Sequence, residues 1–185
     1  ATRTMLDAIR KVTPKPVRWY IVGSDHGDHT AGNSVLPKDI TYIVHPNSLA
    51  QLKRDAATPK RPPTAPAIVV PSTAMSGDRQ VIDVGGIEVQ ALFLGRAHTG
   101  GDLMVYLPSE RILFMSEAYL NRVFPAMRSA YPTDWVGVIG KALAMDVDRY
   151  IPGHGFIEDG PTSREELVEF QKALESVIAE VRRLH

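Results

Sequence analysis

The sequence predicts an α/β domain, and three observations support that fold class. Short apolar runs bounded by glycine and proline alternate along the chain with segments whose apolar residues have helical spacing. The segment 163–184 is long and amphipathic. The length of 185 residues is enough for one domain with a sizeable core. We therefore expect a single domain over residues 1–185.

The first half of the chain predicts two helices and two strands. A helix over 4–11 has Leu6 and Ile9 at helical spacing and ends before Pro14. Strands are predicted at 17–22 and 40–44, the polar segment 23–33 between them as a loop, and a short helix at 47–54. Prolines cluster in 56–71 at Pro59, Pro62, Pro63, Pro66 and Pro71, which favours an irregular surface insertion or lid.

The second half predicts two hairpins, two helices and a short strand. The first hairpin pairs 80–84 with 87–94 around the Gly85-Gly86 turn, and the second pairs 103–107 with 111–115. A helix follows at 134–145, a short strand at 149–152 and the long helix at 163–184. Its apolar face is expected to contain Leu167, Phe170, Leu174, Val177, Ile178 and Val181.

Charge and composition exclude several classes of function. Lysine plus arginine equals aspartate plus glutamate at 21 each, so no net field attracts nucleic acid or an anionic membrane. No apolar stretch approaches the roughly 20 residues that span a bilayer. We therefore expect a soluble protein with a small-molecule substrate and with neither nucleic acid nor membrane as partner. The compartment is left open between the cytoplasm and, after removal of a signal, the periplasm.

Four of the six histidines lie in glycine-rich loops directly after apolar runs. They are His26 and His29 after 17–22, His98 after 89–94, and His154 after 149–151. Loops at strand ends carry the ligands of α/β sheets, because the strands fix positions while the loops carry polar groups. Four converging imidazoles indicate a metal site. Since the chain has no cysteine, the donor set suits zinc, with manganese and iron as competitors.

The segment Ser24-Asp25-His26-Gly27-Asp28-His29 is the richest in such donors. Alternate residues of a tight loop project toward one side, so we expect His26 and Asp28 to share one space and His29 to address a neighbouring position. Two adjacent metal positions follow. Taken alone, the segment is explained equally well as an ordinary polar loop.

Two further segments strengthen the metal hypothesis to different degrees. His98-Thr99-Gly100-Gly101-Asp102 alone is more often just a turn. Ile151-Pro152-Gly153-His154-Gly155 is more specific, because core packing poorly explains a histidine between two glycines, although a turn histidine remains the alternative. The three segments together, in this order, favour a metal centre over three unrelated turns.

With Phe114-Met115-Ser116-Glu117, these segments resemble the ordered motif series of the metallo-β-lactamase superfamily. The intervening segments 105–108 and 111–114 also resemble the family's strand-turn-strand unit. The resemblance covers nearly the whole chain from Met5 and depends on the order and setting of four motifs. It implies a metallo-β-lactamase-like αββα sandwich.

The resemblance also implies two metal positions. One would be formed by residue 24, His26 and His98, and the other by Asp28, His29 and His154, with Glu117 between them. The family pattern has a histidine where Ser24 stands and a bridging aspartate where Glu117 stands. Because a serine hydroxyl is a poor zinc ligand, we expect a strong Asp28/His29/His154 position and a weaker, water-filled or empty neighbour. One or two zinc ions are therefore expected.

The motifs leave more than one role open for several neighbouring side chains. Glu117 is one methylene longer than aspartate. Its carboxylate could therefore bind a metal that is displaced from the usual position, or it could lie too far away to bridge the two metals. The alternative is that Glu117 is an exposed residue at a strand end and binds no metal. Asp25 either faces solvent, orients a histidine or helps to replace the ligand missing at Ser24. Supporting roles are expected for Thr99 and Asp102, and substrate-side positions for Tyr119, Asn121 and Arg122.

The family's first strands have no counterpart before the helix at 4–11, so the expected domain is N-terminally shortened. A fragment, strands supplied by another chain, or a variant without them would each explain this. An incomplete sheet leaves an exposed edge, which favours pairing with a partner. A homo-oligomer such as a dimer is therefore expected.

The favoured function is metal-dependent hydrolysis of an ester, thioester, lactone or amide-like bond through a zinc-bound hydroxide. Asp28 would orient the attacking water, and His26 and His98 would stabilise the developing oxyanion where no second metal binds. The rival is a non-catalytic, metal-binding or structural relative that acts as a partner subunit. A nuclease-type activity is disfavoured, because the charges balance and no basic stripe is present.

Overall fold

The computed structural model describes residues 1–58 and 65–185, and within them it confirms the predicted mixture of helices and strands. The helices are α1 (Thr2–Val12), α2 (Gly27–Thr30), α3 (Pro46–Ala57), α4 (Pro132–Leu143) and α5 (Gly160–Leu184). The strands are β1 (Trp19–Ile21), β2 (Thr41–Ile43), β3 (Arg79–Asp83), β4 (Glu88–Leu92), β5 (Met104–Leu107), β6 (Ile112–Phe114) and β7 (Arg149–Ile151). The chain is therefore an α/β protein.

The strands form two sheets. β1 and β2 pair in parallel, with Tyr20 opposite Tyr42. The second sheet has the order β3-β4-β5-β6-β7, antiparallel up to β6 and parallel between β6 and β7. Both predicted hairpins are confirmed, since β3 pairs with β4 and β5 with β6.

Strand direction in the larger sheet decides where the predicted motifs meet. β4 and β6 are both antiparallel to β5, and β7 is parallel to β6. The carboxyl ends of β4, β6 and β7 therefore lie at one edge of the sheet. His98, Glu117 and His154 follow these three strands and are brought to that edge, where an α/β sheet presents its ligands.

A hydrogen bond connects the small sheet to the larger one. The backbone N–H of Leu103, just before β5, donates to the carbonyl of Gly23, just after β1, at 3.0 Å. A side chain at position 23 would collide with the Oγ of Ser116, so only glycine allows this close approach. The segment after β1 is thereby held against the loop that carries Glu117.

The largest apolar core lies between the five-stranded sheet and helices α4 and α5. Trp135 of α4 is fully buried there, and its Nε1–H donates to the carbonyl of Ala118 at 2.8 Å. Leu167 and Leu174 of α5 are buried in the same core. Burial of these side chains fixes the turn that presents Glu117.

The apolar face predicted for α5 is covered over only half its length. Val177 and Val181 are 36% and 50% exposed, in contrast to Leu167 and Leu174. The last turns of α5 therefore continue past the core that covers the first ones. No helix among the described residues is long and apolar enough to cross a bilayer.

Two predictions about irregular segments need correction. The segment 23–33 is not simply a loop, because it contains α2 and the start of a 3-10 turn at Asn33–Val35. The carbonyl of His26 begins α2 by accepting the backbone N–H groups of His29 and Thr30, both at 3.1 Å. The predicted proline-rich insertion at 56–71 overlaps α3 at its first two residues and is irregular at 66–71. Pro59, Pro62 and Pro63 lie outside the described residues.

Candidate metal centre

Six donor side chains converge in two groups at the junction of the two sheets. One group is His26, His98 and Glu117, and the other is Asp28, His29 and His154; within each group the potential ligand atoms lie within 4.8 Å of one another. Each group takes residues from the segment after β1 and from the edge of the five-stranded sheet. The site therefore forms only when both sheets are assembled.

Helix α2 determines which group each residue of the first motif joins. His26 precedes the helix, whereas Asp28 and His29 lie within its single turn. The expectation from loop alternation that His26 and Asp28 share one space was wrong, because Asp28 lies in a helical turn that His26 only precedes; the two residues fall in different groups, as the family resemblance implied. Asp28 and His29 instead face His154 together.

The Asp28 group has the dimensions of a tetrahedral metal site. Oδ2 of Asp28 lies 3.4 Å from Nε2 of His29 and 3.2 Å from Nε2 of His154. Ligands at about 2.0–2.1 Å around a tetrahedral zinc are separated by roughly 3.3 Å. The side chain of Asp28 is 58% exposed, so it also faces solvent.

Glu117 lies between the two groups. Its Oε1 is 3.0 Å from Nε2 of His29 and 2.9 Å from Nε2 of His154, while its Oε2 is 2.6 Å from Nδ1 of His98. The side chain is 2% exposed. The longer glutamate therefore reaches both groups from a buried position and is not an exposed residue at a strand end.

Three atoms of this arrangement are buried without a well-directed hydrogen bond: Nε2 of His29, Nδ1 of His98 and Oε1 of Glu117. Buried polar atoms normally have partners, and groups left without one mark a place for an ion. Nitrogen and carboxylate donors without thiolates suit zinc. The orphaned atoms and the spacing around Asp28 thus fit a bound metal.

The ionisation of these side chains also fits a cation site. Burial alone would raise the pKa of Glu117, but the close approach of His29 and His98 outweighs it and holds that pKa well below its usual range. Burial lowers the pKa of both His29 and His98, but the nearby Glu117 carboxylate outweighs it and raises them. Glu117 is therefore ionised wherever the protein is folded near neutral pH.

The histidines of the His26 group are already engaged in hydrogen bonds. Nε2 of His26 lies 2.8 Å from Oγ of Ser129, and Nε2 of His98 lies 2.8 Å from the carbonyl oxygen of Ala126. Ser24 is buried, and its Oγ accepts the backbone N–H of His26 at 3.4 Å. Both imidazoles of this group have protein partners that a metal would have to replace or share.

Two nearby carboxylates, Asp25 and Asp102, accept hydrogen bonds that stabilise the loops containing the histidines. Oδ2 of Asp25 accepts the hydroxyl of Ser48 at 2.8 Å, and burial raises its pKa despite this hydrogen bond. Asp102 is buried, accepts the backbone N–H of Thr99 at 2.7 Å and also accepts the Thr99 hydroxyl. Asp102 and Thr99 therefore stabilise the turn after His98, and Asp25 connects α3 to the first motif.

The residues after Glu117 do not take the substrate-side positions that we expected. Tyr119 and Asn121 are buried, with Tyr119 in the main core and the side-chain amide of Asn121 donating to the carbonyl of Phe156. Arg122 pairs with Glu166 at 2.5 Å. Gly155, at φ +96°, approaches the backbone of Asn121 so closely that a Cβ there would collide with the Asn121 carbonyl.

Sequence reasoning missed the partners that lie far along the chain. Ser129 contacts His26 across 103 positions, and Ala126 contacts His98 across 28. Neither residue belongs to a motif, and no local pattern distinguishes them. Ala126 and Ser129 line a cleft of about 480 Å³ that opens onto both donor groups, together with Leu120, Val123, Phe124 and Arg128.

Comparison with known proteins identifies the fold. No family model matches the chain. A curated relative, the 2,4-dinitroanisole O-demethylase subunit alpha of Nocardioides sp. (strain JS1661), is 27% identical over 142 residues, which are 76% of this chain and 41% of that protein. The chain thus spans about two fifths of the length of this relative.

Solved structures resemble the chain over almost its whole length. The metallo-β-lactamase of Pontibacter korlensis is similar with a TM-score of 0.78 and 18% identity, covering 94% of this chain and 76% of that one. The DIM-1 metallo-β-lactamase is similar with a TM-score of 0.74 and 21% identity, covering 93% and 74%. This chain has the metallo-β-lactamase fold, as its motifs led us to expect.

Proposed function

We propose that the protein is a metal-dependent hydrolase that acts on an ester, thioester, lactone or amide-like bond. The observation that carries the proposal is the group Asp28, His29 and His154, whose spacing fits zinc and which opens onto a cleft. A zinc ion held there would lower the pKa of water and polarise a carbonyl. The predicted ligand and catalytic roles of the six donor residues remain part of this proposal.

The chain's own residues would contribute in three ways. Asp28 is the exposed member of its group, so its carboxylate can accept a proton from water that enters from the cleft. His26 also lines the cleft; its Nε2–H can donate to Oγ of Ser129, which leaves the Ser129 hydroxyl hydrogen free to donate to an oxyanion. His98 has ring nitrogens that face Ala126 and Glu117, so its contribution is to position Glu117.

A panel of esters, thioesters, lactones and β-lactams, assayed with zinc and after chelation, tests the proposal. 2,4-Dinitroanisole joins the panel, because the curated relative is an O-demethylase named for that compound. Asp28→Ala should lower kcat/KM by about a hundredfold or more. Asp39→Ala, which removes an exposed carboxylate paired with Arg18, is the control. Turnover that survives chelation unchanged would contradict metal-dependent hydrolysis.

A second candidate is a metal-binding relative without catalysis that serves as a partner subunit. Oε1 of Glu117 lies as close to His29 and His154 as a fourth ligand would. Structural zinc sites have four protein ligands, whereas catalytic sites keep one position open. Cobalt-substituted protein separates a catalytic site from a structural one: added azide should change the visible spectrum of an open site and leave that of a closed site unchanged.

The formation of a homo-oligomer, expected from the sequence, also remains a proposal.

A further inference from the structure

The cleft over the donor groups is lined by both polar and apolar side chains. The polar lining includes His26, Asp28, His98, Glu117 and His154; Leu120, Val123 and Phe124 form an apolar wall. Val123 is 40% exposed and Phe124 is 70% exposed, although both are large apolar side chains. Exposed apolar groups that cluster in a concave site indicate the apolar part of a ligand.

The same cleft contains a cation that the protein does not neutralise. Arg128 lines the cleft and has no ion pair with any described residue. The two arginines that precede it in the chain differ, because Arg122 pairs with Glu166 and Arg111 pairs with Asp146 and Asp148. A guanidinium binds planar anionic groups such as carboxylate and sulfonate through paired hydrogen bonds. Arg128 is therefore available to a ligand's anion.

We propose that the cleft selects substrates with an aryl group and an anionic group, the aryl group packing on Phe124 and Val123 and the anion binding Arg128. The inference rests on the proposed function, because it names the substrate class for that site. Asp28 and His154 line the same cleft as Phe124 and Arg128, so a ligand held in this way would occupy the space onto which the donor groups open. Contact with the apolar wall would therefore increase affinity for aryl ligands, and Arg128 would favour anionic ligands over neutral ones.

Isothermal titration with naphthalene-2-sulfonate and its neutral sulfonamide tests the subsite apart from catalysis. The zinc-loaded protein should bind the sulfonate more tightly than the sulfonamide. Arg128→Gln should weaken the sulfonate by about tenfold and leave the sulfonamide unchanged, since it removes only a charge-assisted hydrogen bond. Phe124→Ala should weaken both ligands to the same extent.

Arg182→Gln is the matched control, because it removes the same charge from the exposed end of α5. It should bind both ligands as the wild type does. Equal affinity of the wild type for the two ligands would overturn the inference. So would undiminished sulfonate binding by Arg128→Gln, which would show that the anion binds the metal instead.

Kinetics with 4-acetoxybenzenesulfonate and the corresponding sulfonamide ester separates this inference from the proposed hydrolysis. Arg128→Gln should raise KM for the charged ester alone and leave kcat for both esters nearly unchanged. If neither ester nor any compound of the panel is turned over while the titrations behave as expected, the subsite stands and the hydrolase proposal fails. Turnover without any difference between the two esters would leave the hydrolase and overturn the subsite.

Discussion

Oε1 of Glu117 lies 2.9 Å from Nε2 of His154, while its Oε2 lies 2.6 Å from Nδ1 of His98. One buried carboxylate thus contacts both donor groups, and its negative charge lies close to the imidazoles of His29, His98 and His154. Changes to this carboxylate and to the residues around it should therefore have measurable effects on metal binding and stability.

Glu117→Gln should bind zinc about 10- to 100-fold more weakly, because it keeps the length of the side chain but loses the charge near His29 and His154. Glu117→Asp should also bind more weakly, since its shorter side chain does not span the distance to both groups. Competition with a chromophoric chelator measures both affinities. Wild-type affinity in both variants would show that Glu117 does not contribute to the site.

Ser24→Cys should raise the zinc content from about one toward two ions per chain, because a thiolate is a strong zinc ligand and fits the buried space of a serine. Ser24→His supplies the imidazole of the family pattern but is larger, so its thermal stability must be measured first. Adding Ser129→Ala frees His26 from its hydrogen bond and should increase the effect. Elemental analysis gives the content, and one ion in every variant would show that Ser24 does not limit occupancy.

Chelation should lower the melting temperature, because zinc binds the folded donor groups and not the dispersed residues of the unfolded chain. Free zinc about a thousandfold above its Kd adds about 4 kcal/mol of stability. For a domain of this size, that corresponds to a shift of roughly 10 °C. Scanning calorimetry with and without chelator measures it, and His154→Ala protein, lacking a ligand, should show a much smaller shift.

Asp102→Asn should change how stability depends on pH. Burial raises the pKa of Asp102 to about 6 despite the hydrogen bonds from Thr99, whereas an unfolded aspartate titrates near 4. The folded state therefore binds more protons between these values, and the contribution of Asp102 to stability falls as the pH rises from about 4 to about 6. Asparagine does not ionise, so the variant should gain up to about 3 kcal/mol relative to the wild type over that interval.

Urea unfolding at several pH values measures this difference. Thr99→Val provides a second test, because it removes the hydroxyl donor that lowers the Asp102 pKa. The fall in stability should then extend to higher pH. A difference between Asp102→Asn and wild type that stays constant from pH 4 to 7 would contradict the assignment.

Much of the fold was predictable because its strands and hairpins have local signals. The Gly85-Gly86 turn and the alternation around it identified the pairing of β3 with β4. The strand-end histidines could be located for the same reason, since each follows an apolar run. Helix α2 was missed because its four residues carry no apolar periodicity. Its single turn separates Asp28 from His26, which loop alternation did not predict but the family resemblance did.

Long-range contacts account for the rest. The hydrogen bond between His26 and Ser129 depends on how α4 and its preceding segment pack against the sheet, and the sequence around Ser129 contains no sign of it. Arg128 is a second example. It lines the cleft without an acidic partner among the described residues, and the sequence around it does not indicate this. The burial of Tyr119 in the main core and the hydrogen bond from Asn121 to Phe156 are also long-range contacts that the local sequence does not indicate.

The hydrogen bond from Leu103 to Gly23 gives the assembly of the centre an observable of its own. Each donor group takes members from both sides of that bond, so separating the two sheets dismantles both groups at once. The rate at which the amide proton of Leu103 exchanges with deuterated water therefore measures how often the two sheets separate. A bound cation that holds the two sheets together would slow the exchange of this amide. The effect would be measurable under conditions in which the secondary structure is the same with and without the cation.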